Sequence, residues 1–169
     1  MLTMRRRSIL LRADDERDRW LHELGGKPTS CRCALAAYAA FCSEYHSLYS
    51  QFAVVVSGST SVGHRLARVF LEELASQWLA ALRSASPSGF AWALLAEAVA
   101  PHRTGSVRNL YQRLGATEAG ALLLRYRIGC SVTVASRAMG MSPDAFELLR
   151  RRALMNAVHD WHMPASDAV

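Results

Sequence analysis

The sequence predicts an all-α protein built from two small helical domains joined by a short linker. Three observations carry that expectation. Apolar residues recur at spacings of three and four through most of the chain, which is the pattern of helices with one buried face. Gly-, Pro- and Ser-rich breaks divide the chain into helix-length pieces. And 51% of the 169 residues are apolar, enough for a packed core and too many for global disorder.

Residues 1–30 read as an N-terminal extension. Within it, 12–24 mixes charge with Trp20, Leu21 and Leu24 and suits a short helix, which Gly25-Gly26-Lys27-Pro28 ends. The first domain spans 31–101. Its first helix covers 33–56, with Ala34, Leu35, Tyr38, Phe41, Tyr45, Leu48, Tyr49 and Phe52 on a broad apolar face. Ser57 to Ser61 is a turn. A second helix covers 62–82, with Leu66, Val69, Phe70, Leu74, Trp78 and Leu82 inward. Residues 84–89, containing Pro87, form a loop, and a very apolar third helix covers 90–99 up to Pro101.

Residues 102–106 are the linker and 107–162 the second domain. A helix is expected at 107–114. Thr117 is placed to cap another from Glu118 to about Arg127, ended by Gly129. Ser131 caps a short helix, 132–139. Gly140-Met141-Ser142 is a tight turn. Ser142 then caps a last helix that starts on Pro143, a favoured first position, and runs to about His159. Phe146, Leu149, Ala153 and Ala157 form its buried face. Residues 163–169 are a tail.

Charge is uneven. The formal net charge is +6, from 20 Lys+Arg and 14 Asp+Glu. All the basic residues but Lys27 are Arg. The extension carries +2, the first domain 0, residues 102–162 +5 and the tail −1. The C-terminal third is therefore the part that attracts an anion such as nucleic acid. The longest run without a charged residue or histidine, 47–63, is too short and too rich in Ser and Gly to cross a bilayer. Arg5, Arg6 and Arg7 precede only three apolar residues, short of a signal-peptide core. A cytoplasmic protein is expected, with Cys31, Cys33, Cys42 and Cys130 reduced.

The second domain holds the most informative pattern. Two capped helices around a Gly140 turn outline a helix-turn-helix. Ala135 sits where the helices must approach closely, and Gly140 where the backbone needs an unusual angle. Arg137 lies on the first helix and Arg150, Arg151 and Arg152 on the second, placed to hold phosphates if the second helix enters a major groove. A helical hairpin with a solvated basic face has the same outline.

Residues 121–126 (ALLLRY), then Gly129-Cys130-Ser131, then Ala135 and Gly140-Met141-Ser142 together resemble region four of a bacterial sigma factor, whose helix-turn-helix reads the −35 promoter element. Upstream, Phe41, Tyr45, Leu48 and Tyr49, then Ser57-Gly58-Ser59, Phe70, the 78–82 stretch and Trp92 resemble region two of the extracytoplasmic-function (ECF) class. The resemblance covers roughly 38–160. It implies a region 2-like three-helix domain, a region 4-like helix-turn-helix domain, and a non-enzymatic transcription regulator without cofactor or metal. Its implied partners are double-stranded promoter DNA, core RNA polymerase and an anti-sigma factor, with no membrane partner. Its location would be cytoplasmic, on the nucleoid when DNA-bound. The implied DNA-binding residues are Ser131, Thr133, Arg137, Ser142, Asp144, Glu147, Leu148, Arg150, Arg151 and Arg152, with Glu147 and Arg151 as base readers. The implied polymerase- or partner-binding residues are His64, Arg65, Arg68 and Glu72.

The chain also departs from that family. Where the clamp-gripping helix carries carboxylates and a glutamine, this chain has His64, Arg68 and Ala67. Reversed charge in an ion-paired interface costs several kcal/mol. The recognition helix carries Asp144 and Glu147 beside the expected phosphates. These departures motivate an alternative, a sigma-like module that binds a protein partner. A plain helix-turn-helix regulator is a third possibility.

No local signature supports Ser/His/Asp or Cys/His catalysis, and the patterns that resemble nucleotide or metal sites are incomplete. Val54-Val55-Val56 followed by Gly58 and Gly63 resembles a strand and phosphate loop, but His64 and Arg65 stand where the loop needs Lys and Ser or Thr. That argues against nucleotide hydrolysis. Cys31 and Cys33 are too close for the usual zinc pair, and His159 and His162 lack a thiol or carboxylate partner in sequence.

Overall fold

The computed structural model describes residues 18–25 and 28–162. Expectations for the arginines at 5–7, for Gly26 and Lys27, for the tail, and for the side chains of His159 and His162 fall outside that part. Among the described residues the structure is helical, with no strand. Helix α1 is Pro28–Ser57, α2 Thr60–Ser76, α3 Trp78–Arg83 and α4 Pro87–Val99. A 3-10 turn, Ala100–His102, leads to α5, Gly105–Arg113, and α6, Ala116–Leu122. A π turn, Leu123–Arg127, continues α6, followed by α7, Val132–Ala138, and α8, Pro143–His162. Residues 18–23 are also helical. No helix among the described residues is long and apolar enough to cross a membrane.

Helix α1 spans 30 residues because its apolar face keeps a three–four spacing throughout. Tyr38, Phe41, Tyr45, Tyr49 and Phe52 are all buried. They form an aromatic ladder whose neighbouring rings lie 4.8 Å (Phe41–Tyr45) and 5.5 Å (Tyr45–Tyr49) apart. Trp20, 1% exposed, meets Tyr38 edge-on at 6.2 Å. The extension thus contributes to the core. Two of the buried rings have their polar tips satisfied, whereas the Trp20 indole N–H has no hydrogen-bond partner among the described residues. The Tyr38 hydroxyl donates to Leu71 O at 2.8 Å, and Trp78 Nε1 donates to Ala34 O at 2.9 Å. Helix α2 lies close along α1: a Cβ on Gly63 would overlap the Val54 backbone.

The structure corrects several expected boundaries. Helix α1 begins at Pro28, inside the expected extension. The expected helix 62–82 is two helices, broken at Gln77, whose backbone (φ −107°, ψ 11°) leaves the helical region. Trp78, just past the break, is buried, but Leu82 beyond it and Val69 before it are 40% and 50% exposed, against the expectation that both point inward. Helix α4 starts at Pro87, because Ser86 caps it by accepting from Gly89 N at 3.1 Å. Helix α6 starts before Thr117. Gly115 is its N-cap, and the Glu118 carboxylate reaches back to the Gly115 N–H at 3.3 Å. The expected straight helix to Arg127 changes pitch at Leu123, where Ile128 N donates to Leu123 O at 3.0 Å across a wider turn. Val54-Val55-Val56 is helical, which removes the strand that a phosphate loop requires.

The two halves share a core. One buried cluster runs from Trp20 through the α1–α4 aromatics to Leu124, Ala135 and Phe146. The Tyr49 hydroxyl of α1 donates to Ala138 O of α7 at 2.8 Å, fully inside. Burial pushes this phenol far above its ordinary range, so it stays a donor. Beside it, the backbones of Gly89 and Gly140 nearly touch. Cys31, Cys42 and Cys130 are buried and Cys33 is exposed, and none of the four is in a disulfide with a described residue.

Candidate nucleic-acid interface

The helix-turn-helix outline forms from the residues that suggested it. The Ser131 hydroxyl accepts from Val134 N and the Ser142 hydroxyl from Ala145 N, each at 3.2 Å, so each helix has one of its first N–H groups capped by a serine. Gly140 carries φ +69°. A Cβ there would overlap both the Gly89 backbone and Ser86 Oγ, so the position excludes a side chain on two counts. Ala135, Ala138 and Phe146 are fully buried, which lets α7 and α8 pack closely.

The outer surface divides into two groups. Thr133, Val134 and Arg137 are exposed on α7. On α8, Asp144, Leu148, Arg151 and Met155 share one face at spacings of four, three and four, and all are exposed. Leu148 and Met155 are 69% and 72% exposed. Arg137 makes no ion pair with the described residues. It lies near Tyr45 of α1, whose phenol burial raises and whose shift Arg137 opposes.

The other charged residues expected at DNA are tied up in ion pairs at the protein surface. Arg150 chelates Glu147, its Nε donating to Oε2 at 2.9 Å and its Nη2 to Oε1, while its Nη1 donates to the Tyr126 hydroxyl. Arg151 Nε also donates to Glu147 Oε1, at 3.2 Å. Arg150 chiefly, and Arg151 less, hold the Glu147 carboxyl down to about 2. Arg152 Nε donates to Glu118 Oε1 at 2.7 Å and ties α8 to α6. Arg151 is therefore the most available of the three consecutive arginines, and both oxygens of Glu147 are already engaged. Tyr126 carried no expected role beyond its place in the 121–126 stretch, and it is 55% exposed.

The expected partner-binding residues cluster on α2. His64 and Arg68 are exposed one turn apart, Arg65 is exposed beside them, and Glu72 follows half-buried one turn on. They lie on a different helix from the arginines of α8.

Compared with protein-family models, with curated proteins and with solved structures, the chain finds no match.

Proposed function

We propose that the protein is a non-catalytic transcription regulator of the ECF sigma type, binding double-stranded promoter DNA through α7 and α8 and directing core RNA polymerase through the His64–Glu72 face. One observation carries most weight. Two separately capped helices meet at a glycine turn that cannot hold a side chain, with Arg137 and Arg151 exposed on their outer side. That is the arrangement a recognition helix needs to approach a groove while arginines hold phosphates. The +5 charge of residues 102–162 supplies the long-range attraction.

The test is a DNA-binding titration against duplexes selected from a random pool, repeated over a range of salt. Arg151→Ala is expected to weaken binding about tenfold and to reduce the salt slope by about one counterion. Unchanged affinity and slope would remove α8 from the interface. Transcription from the selected duplexes with added core polymerase then tests the sigma assignment.

A second reading has its own observation. Leu148 and Met155 put apolar area on the outer face of α8 beside Asp144. Such a surface suits a protein partner, an anti-sigma factor or polymerase, better than phosphates. Salt-insensitive capture of polymerase without DNA binding would favour it.

A further inference from the structure

A second feature lies away from α7 and α8. Residues of α1, the start of α2 and the π turn enclose an open cleft of about 500 Å³, within the range of small-ligand sites. His46, His64 and Arg127 line it, together with Ser47, Ser50, Gln51 and Thr60, and Val54, Val55 and Ile128 supply an apolar wall. No carboxylate lines it. Its chemistry is therefore cationic and hydrogen-bonding on one side and aliphatic on the other.

Three further observations point to a ligand. Ser50 is only 4% exposed, yet its hydroxyl has no hydrogen-bond partner among the described residues. A buried hydroxyl left in that state costs free energy unless something else satisfies it. Thr60 and His64 also bring the first turns of the 17-residue α2 to the cleft, with no acidic residue in the first turn to neutralise the positive end of the helix. Arg127 is exposed and makes no ion pair with the described residues. It reaches this place because the π turn follows α6.

We infer that this cleft binds a phosphorylated small molecule of nucleotide size. Arg127, His64 and the start of α2 would hold the phosphate, Ser50 would hydrogen-bond the ligand, and Val54, Val55 and Ile128 would pack on its apolar part. The binding involves no covalent step. It is independent of DNA recognition, since no residue of α7 or α8 lines the cleft.

The experiment is an amide-NMR titration of the full-length protein with AMP, adenosine and inorganic phosphate in turn. AMP is expected to shift the amides of 46–64 and 127–128 saturably, with an affinity at least tenfold above that of either fragment. Arg127→Gln and His64→Gln should each weaken AMP about tenfold, the loss of one charge-assisted hydrogen bond. Ser50→Ala should weaken it severalfold without lowering stability, because its hydroxyl has no internal bond to lose. The inference fails if AMP gives no saturable shift, if adenosine or phosphate binds as tightly as AMP, or if Arg127→Gln and His64→Gln bind AMP like the parent. Circular dichroism of each variant separates lost binding from lost folding. The DNA titration of Arg151→Ala is read separately, and because His64 also belongs to the proposed polymerase face, Arg127→Gln, outside that face, is the variant that lets either reading fail alone.

Discussion

Gly140 shows how far one residue constrains this molecule. Its backbone is left-handed and its missing side chain admits the Gly89 backbone. Gly140→Ala is expected to cost about 3 kcal/mol or more, from strain plus overlap. Gly129 is a built-in comparison, also left-handed at φ +83° but facing open space. Gly129→Ala should cost only about 1–2 kcal/mol. Urea denaturation of both variants measures the difference, and equal losses would mean that the Gly89 approach contributes nothing. Glu147 offers a second test. Its carboxyl is depressed to about 2, below the unfolded value of about 4.3. Its contribution is thus complete above about pH 4.3 and lost as pH falls through about 2. Carboxyl NMR should find a midpoint near 2 at low salt. Because the pair faces solvent, salt should move that midpoint upward.

At the scale of elements, the caps decide where α7 and α8 begin. Ser131→Ala and Ser142→Ala should each destabilise by about 1 kcal/mol, read by thermal unfolding. Both caps were legible from sequence, because a serine before a helical pattern has one good use for its oxygen. The same logic placed the α6 cap on Thr117, although Gly115 takes that position with help from Glu118. A glycine has no side chain to announce a cap, so the signal lay in Glu118 alone. The break at Gln77 was not legible either. The three–four pattern continues through Phe70, Leu74 and Trp78, and only packing against α1 and α4 reorients the chain there. The π turn is similar: residues 121–126 read as uninterrupted helix, and the wider turn shows only in the Ile128 hydrogen bond.

For the molecule as a whole, the halves are coupled through a buried contact. Tyr49→Phe removes the donor to Ala138 O and should cost about 1–3 kcal/mol, since the carbonyl stays buried without it. Because one core cluster runs from Trp20 to Phe146, tryptophan fluorescence and far-UV circular dichroism should report one coincident unfolding transition. Two separated transitions would show that the halves unfold independently. In either case the exposed face of α8 points away from the shared core, so coupling leaves Arg151 available.

Sequence by itself determined the helical class, the long aromatic face of α1, the capped pair α7 and α8, and the Gly140 turn. Each rests on local rules, periodicity, capping and backbone angle, that a short window of residues expresses completely. Tertiary structure alone decided which arginines remain available. Arg150, Arg151 and Arg152 are chemically alike in sequence, yet one chelates Glu147 and reaches Tyr126, one bridges to Glu118, and Arg151 keeps only a single longer contact. It also decided the cleft. His46, Ser50, Thr60, His64 and Arg127 come from three elements separated by up to 81 positions, and no local pattern encodes their meeting. Side chains far apart in the chain converge only when packing orients their helices, and that information is held by the whole core.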